Sequence, residues 1–268
     1  DGSIEFIKDY SKNLDFPVIV IRNVENLGFA KAVNQGILKS NYDYIFSLNN
    51  DTEVEKGAVK SLMDLISSDE DIFSVASKML HLHRNGIDDH LTHPGHADQD
   101  EDDAGDEYNI LAWTKKTGEN QPAENYDEIY EIFSSCAGAA MYNKAILNKI
   151  GLFDENFFAY MEDVDLSYRA KINGYKNLFC PDSVVYHIGS ATSGSRYNKF
   201  KVKLAARNNV WTVYKNFPVP QKILNFIFLF LGFLIKYLFF VKKGFGKTYL
   251  EGLKEGLKTR NKIDKVKF

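Results

Sequence analysis

The side chains best suited to chemistry lie in three short stretches, and the first is Asn49-Asn50-Asp51. It follows the apolar run Tyr44–Leu48, which is typical of a buried strand in a parallel sheet. Open α/β sheets bind ligands just beyond the carboxyl ends of their strands, and carboxylate and amide oxygens suit Mg²⁺ or Mn²⁺. A second interpretation stays open, in which this stretch is a turn and Asp51 or Thr52 caps the following helix.

The second stretch carries three carboxylates, Glu162, Asp163 and Asp165, directly after the aromatic segment 157–161. Apolar neighbours raise the pKa of a carboxyl group, and such a group could act as the base that deprotonates a hydroxyl. The same residues precede a predicted helix, so a favourable interaction with the positive end of its dipole is the alternative explanation.

The third stretch is a predicted strand, 179–187, that ends on His187. Histidine is a common metal ligand, although a hydrogen-bonded structural histidine fits this pattern too. Earlier in the chain, Gly28 opens the predicted helix that carries Asn34. A glycine before a helix N-terminus suits the approach of a phosphate, and a structural turn is the alternative.

Strands and helices alternate along the first part of the chain, which indicates an α/β layer fold. Apolar periodicity predicts strands over 17–21, 44–48, 73–80 and 179–187. It predicts helices over 4–12, 29–41, 57–67 and 144–150, the first capped by Ser3 and the last ended by Gly151. A doubly wound domain normally has a strand before its first loop, so the start at Asp1 predicts a missing N-terminal segment.

Residues 81–128 are polar, acidic and rich in turn formers, and they predict a mobile, solvated loop. Five of the six histidines fall there: His81, His83, His90, His93 and His96. With the acidic run 98–103 they leave a metal site open as an alternative, but their spacing matches no zinc signature. A long loop inside a compact domain is often an element that faces substrate.

The composition is that of an ordinary folded protein, with 44% hydrophobic and 26% charged residues over 268 positions. The net charge of −3 argues against nucleic acid as a partner, because nucleic-acid binding favours a basic face. Cys136 and Cys180 lack metal-ligand spacing, which predicts reduced core thiols of a cytoplasmic protein, with a single disulfide as the alternative.

The composition changes after Pro218 and Pro220. Residues 223–241 are nearly all apolar and approach the length of a membrane span. Lys236 within this run favours a helix that lies in the membrane interface, with a buried core helix as the alternative. The basic tail 244–268 suits anionic lipid headgroups, so we expect a membrane surface as a partner.

The three stretches, taken in order, resemble the motifs of the inverting family-2 glycosyltransferases of GT-A fold. The motifs are Leu48-Asn49-Asn50-Asp51, the segment 157–169 with Met161-Glu162-Asp163-Val164-Asp165, and Val185-Tyr186-His187. The segments 26–36, 206–208 and 215–216 match the rhamnosyltransferase-like subgroup, so the resemblance covers most of residues 1–216. It implies an α/β fold with a Rossmann-like mixed sheet, flanking helices and a first strand that this chain lacks.

The resemblance also implies roles for individual residues. Asp51 corresponds to the last acid of the DXD motif, which binds Mg²⁺ or Mn²⁺ on the donor diphosphate, and His187 to a further metal ligand. Asp163 corresponds to the catalytic base, with Glu162 as the alternative. The resemblance places the donor at Gly28, Asn34, Asn49, Asn50 and Arg207. Asn49 stands where other members carry Asp, which puts metal ligation at this position in doubt.

These implications define the expected function. We expect a metal-dependent inverting glycosyltransferase that moves a sugar, rhamnose first, from dTDP-rhamnose or a UDP-sugar to a surface glycan or lipid-linked acceptor. We expect a catalytic domain at 1–216 and a membrane-associated region at 217–268, at the cytoplasmic face of a bacterial inner membrane. The alternatives are a hexosyl- or N-acetylhexosaminyltransferase with another donor, and a truncated non-catalytic remnant that binds membrane or partner enzymes.

Overall fold

The computed structural model describes residues 2–81, 101–187 and 197–268, and a mixed β-sheet forms its centre. The strands of the described residues are β1 (Tyr44–Leu48), β2 (Thr52–Val54), β3 (Ile72–His81), β4 (Glu101–Asp103), β5 (Asp106–Tyr108), β6 (Thr114–Lys116), β7 (Tyr130–Ile132), β8 (Ala139–Asn143) and β9 (Lys176–His187). The main sheet has the order β1-β8-β3-β9-β2, with β4 beside β3 and β7 beside β9. The pair β3/β9 is parallel and the other pairs are antiparallel.

Helices cover both faces of this sheet. In the described residues they are α1 (Ser3–Ser11), α2 (Phe29–Lys39), α3 (Ala58–Ile66), α4 (Lys144–Ile150), α5 (Glu162–Ile172), α6 (Lys199–Asn216), α7 (Val219–Leu224), α8 (Phe226–Lys242) and α9 (Gly246–Thr259). Strand β8 alternates between the faces: Tyr142 packs with α2, α4 and α5, and Met141 packs with α3. The result is a layered α/β core.

Several elements confirm the sequence predictions. Strand β1 has the predicted bounds, and β9 ends on His187 as expected. Gly28 precedes α2, α3 lies within 57–67, and α4 is followed by Gly151 with φ of 85°. Cys136 and Cys180 are both free thiols.

The predicted strand at 17–21 is wrong, and so is the parallel setting of β1. Val18 to Ile21 form no strand and are exposed, because no other described segment offers them a ladder of hydrogen bonds. Strand β1 pairs with β8 in the antiparallel direction. The apolar run therefore identified the strand, but composition carries no information on the direction of its neighbour.

The predicted helix caps at Ser3, Asp51 and Thr52 are also wrong. Helix α1 begins at Ser3 itself, after Gly2 in the left-handed conformation with φ of 83°. Thr52 begins β2 rather than a helix, and α3 begins only after Gly57. Helices α1 and α3 are thus preceded by glycines with positive φ, Gly2 and Gly57, and not by residues with capping side chains.

The solvated loop predicted over 81–128 is wrong for its second half. Strands β4, β5 and β6 lie there, and Asp102, Asp103 and Ala104 are buried. The acidic run looked like a solvent-exposed segment because sequence alone did not show that Lys116 would pair with it. His83, His90, His93 and His96 lie outside the described residues.

The C-terminal helices pack on α6. Cβ atoms at Gly252 and Gly256 would lie only 2.4 Å and 2.8 Å from the carbonyl oxygens of Lys203 and Arg207, so these glycines let α9 approach α6 closely. The Trp211 Nε1–H donates to the Gly256 carbonyl oxygen at 3.1 Å. Within the described residues, no helix combines the length and the apolar character needed to span a membrane.

Candidate active site

The turn after β1 and the end of β9 come together at one edge of the sheet. The main-chain N–H of Asn49 donates to the Gly138 carbonyl oxygen at 2.8 Å, and Thr52 Oγ1 donates to the Asn49 carbonyl oxygen at 2.6 Å. Strand β2 then pairs with β9, with Thr52 opposite His187. This register places His187 Nε2 3.5 Å from Asp51 Oδ1. The two predicted metal ligands are therefore neighbours.

Asp102 holds the other side of the His187 ring. Its Oδ2 lies 2.7 Å from His187 Nδ1, and its Oδ1 accepts a hydrogen bond from Lys116 Nζ at 2.9 Å. Burial alone would raise the pKa of Asp102, but His187 and Lys116 hold it well below its usual range. A hydrogen bond at Nδ1 leaves Nε2 to face Asp51, the arrangement that orients histidine ligands at metal sites. The sequence analysis missed this residue.

Two carboxylates, Glu162 and Asp163, begin α5. Burial and the nearby Asp163 raise the pKa of Glu162 to about 8, and Glu162 Oε2 is buried without a hydrogen-bond partner among the described residues. Burial also raises the pKa of Asp163, but the N–H groups of Val164 and Ala137 donate to its carboxylate and oppose this shift. Asp163 thus remains the better anion of the pair.

The third acid of this motif has a different environment. Asp165 is fully buried, and its carboxylate contacts Arg169 Nε and Lys215 Nζ at 3.0 Å each and Asn216 Nδ2 at 2.8 Å. These contacts tie α5 to α6. They leave Asp165 as a structural group.

The segment before Asp163 has a strained backbone. Phe158, Tyr160 and Met161 have φ values of 66°, 68° and 73°, a region that residues other than glycine rarely occupy. Asn208 Nδ2 holds the segment by lying 2.6–2.9 Å from the carbonyl oxygens of Phe157, Ala159 and Tyr160. Helix α6 therefore holds the segment that leads to the acidic residues Glu162 and Asp163.

This strained segment also occupies the N-terminus of α2. The N–H groups of Phe29 and Ala30 donate to the Phe158 carbonyl oxygen at 2.6 Å and 3.3 Å. A Cβ at Gly28 would lie 2.5 Å from the same oxygen. The glycine turn predicted as a phosphate site thus serves, in this structure, the close approach of Phe158.

Asn34 and Arg207, both expected near the donor, do not line the cavity that holds the other predicted residues. Asn34 is buried and donates to the Phe153 carbonyl oxygen at 2.9 Å. The Arg207 guanidinium lies over the Trp211 ring and donates to the Phe157 carbonyl oxygen at 3.0 Å. Asn34 thus binds the chain just before the strained segment, and Arg207 binds the first residue of that segment. Donor binding by either side chain stays a prediction.

A cavity of about 740 Å³ joins the remaining predicted residues. It is lined by Gly28, Asn49, Asn50, Asp51, Glu162, Asp163 and His187, together with Asp106, Cys136 and Lys201. Asp106 is a second acid that the sequence analysis missed, and burial followed by the charges of Asp103 and Asp163 raises its pKa. Four carboxylates line this cavity, so an anionic ligand would be repelled unless a cation or bound protons reduced their charge.

The Asp51–His187 pair fits a shared divalent cation. Adjacent ligands of an octahedral Mg²⁺ lie about 3 Å apart, since each is about 2.1 Å from the ion, and the observed separation of 3.5 Å is slightly longer. Among residues 2–81, 101–187 and 197–268, no group of three or more His, Cys, Asp and Glu side chains is arranged to hold a metal. The pair therefore suits an ion that takes its remaining ligands from water and a substrate diphosphate.

The sequence matches a known protein family. Residues 1–151 match the family described as Glycosyl transferase family 2. The chain belongs to this family. Poly-beta-1,6-N-acetyl-D-glucosamine synthase of Staphylococcus aureus (strain COL) is 22% identical over 199 residues, which cover 74% of this chain and 43% of that protein. The chain thus spans less than half the length of this relative.

Solved structures support the fold. GalNAc-T7, solved with UDP, GalNAc and Mn²⁺, matches with a TM-score of 0.59 and 21% identity over 79% of this chain and 39% of that chain. The mannosyltransferase PcManGT of Pyrobaculum calidifontis, solved with GDP-Man and Mn²⁺, matches with a TM-score of 0.54 and 12% identity over 96% of this chain and 63% of that chain. The family-2 domain therefore has the mixed-sheet α/β architecture expected from the GT-A resemblance.

Proposed function

We propose that this protein transfers a sugar from a nucleoside-diphosphate sugar to a hydroxyl group of a glycan or lipid-linked acceptor, with inversion at the anomeric carbon. One observation carries the proposal: the Asp51–His187 pair and the base candidate Asp163 line the same cavity. A donor diphosphate bound at Asp51 and His187 and an acceptor hydroxyl at Asp163 would meet within this cavity. Family membership supports the reaction class.

Asp51 and His187 would hold Mg²⁺ or Mn²⁺ together with the donor diphosphate, and such an ion supplies charge neutralisation for the leaving group. The acidic lining of the cavity favours this assignment, since the diphosphate adds further negative charge. Both solved structures described above contain Mn²⁺. Asn49 and Asn50 would contribute neutral polar groups beside the ion.

Asp163 would act as the base. Its carboxylate accepts the proton of the acceptor hydroxyl while that oxygen bonds to the anomeric carbon, and the bond from this carbon to the diphosphate oxygen breaks. Glu162, with a pKa of about 8, is mostly protonated at neutral pH and is the poorer base there. A single displacement inverts the anomeric configuration and needs no nucleophile from the protein.

We propose dTDP-rhamnose as the first donor to test, because the sequence resembles the rhamnosyltransferase-like subgroup. A UDP-linked hexose or N-acetylhexosamine is the second candidate. The similarity to a poly-N-acetylglucosamine synthase and to GalNAc-T7, whose structure contains UDP and GalNAc, favours this alternative. Both donors fit the same assignment of Asp51, His187 and Asp163.

We also propose that the C-terminal region contacts a membrane surface, at the cytoplasmic face in a bacterial cell. Helix α8 supports this with a row of exposed apolar side chains: Phe226, Ile227, Phe230, Leu231, Ile235, Leu238 and Phe239. Lys236 is half-buried 5.8 Å from the Trp113 ring centre, and burial lowers its pKa to about 8. Large exposed apolar patches mark interaction sites, and an interfacial helix fits this one.

A panel of sugar nucleotides tests the proposal. Calorimetry should show binding of one donor class in the presence of Mn²⁺, and chelator and Asp51→Ala should each abolish it. Donor turnover with an acceptor should then give a product of inverted configuration by NMR. Binding indifferent to both chelator and Asp51→Ala would exclude the metal assignment, and absence of any transfer across the panel would favour the non-catalytic alternative.

A further inference from the structure

A second cavity lies between α6, α8 and α9 and has a different character from the first. Its volume is about 550 Å³, within the usual range of ligand sites, about 300–1,000 Å³. Its walls are apolar and include Val213, Phe233, Leu234, Leu250 and Leu253. The linings of the two cavities have no residue in common, so this one is separate from the proposed catalytic centre.

Cations border this apolar cavity. Lys222 and Arg260 belong to its lining, and the ammonium groups of Lys222 and Lys265 lie 5.3 Å and 4.5 Å from the Tyr214 ring centre. Lys222 Nζ donates to the Tyr214 carbonyl oxygen, and Arg260 Nη1 donates to that of Leu257. None of these three cations forms an ion pair with a carboxylate of the described ranges.

The charges of Lys222 and Lys265 repel each other. Burial, followed by the charge of Lys265, lowers the pKa of Lys222. An anion bound between the cations would remove this repulsion and would gain charge-assisted hydrogen bonds. These cations therefore favour an anionic group beside the apolar cavity.

The cavity opens onto the exposed apolar face of α8. Phe230 and Leu257 line it while remaining 59% and 53% exposed, so its walls reach the surface at these residues. Ile227, Leu231 and Leu238 extend the exposed apolar surface along the same helix. A molecule that entered here would contact apolar side chains of α8 and the cationic side chains of Lys222 and Arg260.

We propose that this cavity binds one acyl chain of an anionic phospholipid from a bilayer, with the phosphate at Lys222 and Arg260. The apolar walls suit a hydrocarbon chain and offer few partners for a sugar or nucleotide. The site deepens the proposed membrane contact and does not depend on sugar transfer. It predicts that membrane binding requires these two cations more than other basic residues nearby.

Vesicle binding tests the site with a charge-matched control. Vesicles of phosphatidylcholine, with and without phosphatidylglycerol, are sedimented with the full chain. We expect wild type to prefer the anionic vesicles, and Lys222→Gln with Arg260→Gln to reduce the partition coefficient roughly tenfold or more. Lys242→Gln with Lys243→Gln removes the same charge from the end of α8 and should reduce it much less. An equal reduction of the partition coefficient in both double variants would overturn the proposed lipid site.

Soluble amphiphiles separate the acyl-chain contribution from that of the phosphate. Monomeric dodecyl phosphate should bind by calorimetry more tightly than inorganic phosphate or uncharged dodecyl maltoside. Leu250→Trp, which fills the cavity, should abolish this binding, whereas Leu238→Trp on the exposed face should preserve it, with both variants checked by circular dichroism. Equal affinity for dodecyl phosphate and either partial ligand would overturn the proposal.

The vesicle experiments also distinguish failure of the proposed membrane contact from failure of the lipid site alone. If wild type binds no vesicles, the proposed membrane contact fails together with this site. If it binds vesicles but the cavity variants bind equally well, only the site fails, and transfer to a soluble acceptor is affected in neither case. Self-association that Leu250→Trp abolishes would identify a second copy as the occupant and would overturn the lipid assignment.

Discussion

At the scale of single residues, Asp102 is the least expected member of the site. It lies 2.7 Å from His187 Nδ1 and is itself held by Lys116. Without this carboxylate, the His187 ring would lose the partner that fixes its tautomer and orientation. Partners of this kind are worth about 10–100-fold in metal affinity at known sites.

Asp102→Ala should therefore weaken Mn²⁺-dependent nucleotide binding by about 10–100-fold. Calorimetry with UDP and dTDP measures the loss, and ¹⁵N chemical shifts of His187 report its tautomer. Asp64→Ala, on the exposed face of α3, is the control. An unchanged affinity with an unchanged tautomer would refute the positioning role.

Glu162 makes a prediction about stability and pH. Its pKa is raised from an ordinary 4.5 to about 8, so the neutral carboxyl stabilises the fold below about pH 4.5 and this contribution is lost as the pH rises towards 8. Glu162→Gln, which stays neutral, should match wild type at acidic pH and exceed its unfolding free energy by roughly 1–3 kcal/mol above pH 8. Urea denaturation at acidic pH and above pH 8 measures the unfolding free energies of the variant and wild type. Glu124→Gln, at an exposed position, is the control. A variant less stable at high pH would contradict the buried, protonated state.

Residue types and order were sufficient to select Asp51, His187 and Asp163 as candidates, because each lies at or near the end of an apolar segment, and the family resemblance supplied their expected roles. Asp102 and Asp106 could not be found this way. Their neighbours in sequence are polar, and their burial depends on Lys116, Ser134 and His187, which lie far along the chain. A local sequence pattern does not show which residues from other segments will pair with a buried acid.

At the scale of elements, α6 holds the strained segment 157–161 in place through Asn208. Asn208→Ala would remove the donor from three carbonyl groups and let the segment relax. We expect a loss of unfolding free energy of about 1–3 kcal/mol and a fall in kcat that exceeds what this destabilisation explains.

Asn209→Ala is the matched control for this prediction. Asn209 is equally buried, but its amide donates to the Ala112 carbonyl oxygen, on another segment. Its loss should reduce stability to a similar degree with a smaller fall in kcat. Steady-state kinetics and urea denaturation compare the two variants, and equal falls in kcat would argue against a specific role of the strained segment.

Gly28 tests the close approach between α2 and the strained segment. An added Cβ would meet the Phe158 carbonyl oxygen at 2.5 Å, in addition to the cost of φ at +82°. Gly57 also has positive φ, at +97°, but open space around it, so Gly57→Ala measures the backbone cost alone. Gly28→Ala should be less stable than Gly57→Ala by about 1–3 kcal/mol in urea denaturation. Equal losses would exclude the contact with Phe158 as the reason for the glycine.

Element types were predictable where local signals were complete. Helix α4 has a cap at Asn143 and ends before Gly151, and β9 contains two short apolar runs on either side of Pro181-Asp182-Ser183. The segment 17–21 has β-branched residues but no strand beside it, so its propensity did not suffice. The direction of β1 depends on its pairing with β8, about ninety residues away in sequence.

At the scale of the whole molecule, the C-terminal region is packed against the rest of the protein. Gly252 and Gly256 let α9 contact α6, and the Val266 N–H donates to the Lys215 carbonyl oxygen at 3.1 Å. The composition change near Pro218 predicted a separate membrane-associated region, and the division at 216/217 stays a prediction. What sequence could not reveal is that α6 contributes to both cavities, so that the proposed catalytic and lipid sites share one helix.

The central claim is that one cavity brings the donor and the base Asp163 together. Its most direct test is the rate of sugar transfer by Asp163→Asn, measured with a donor that wild type uses and alongside donor affinity. Because the amide cannot accept the hydroxyl proton, we predict a fall in the transfer rate of about 10²–10⁴-fold with unchanged donor affinity. Transfer at the wild-type rate by Asp163→Asn would contradict it.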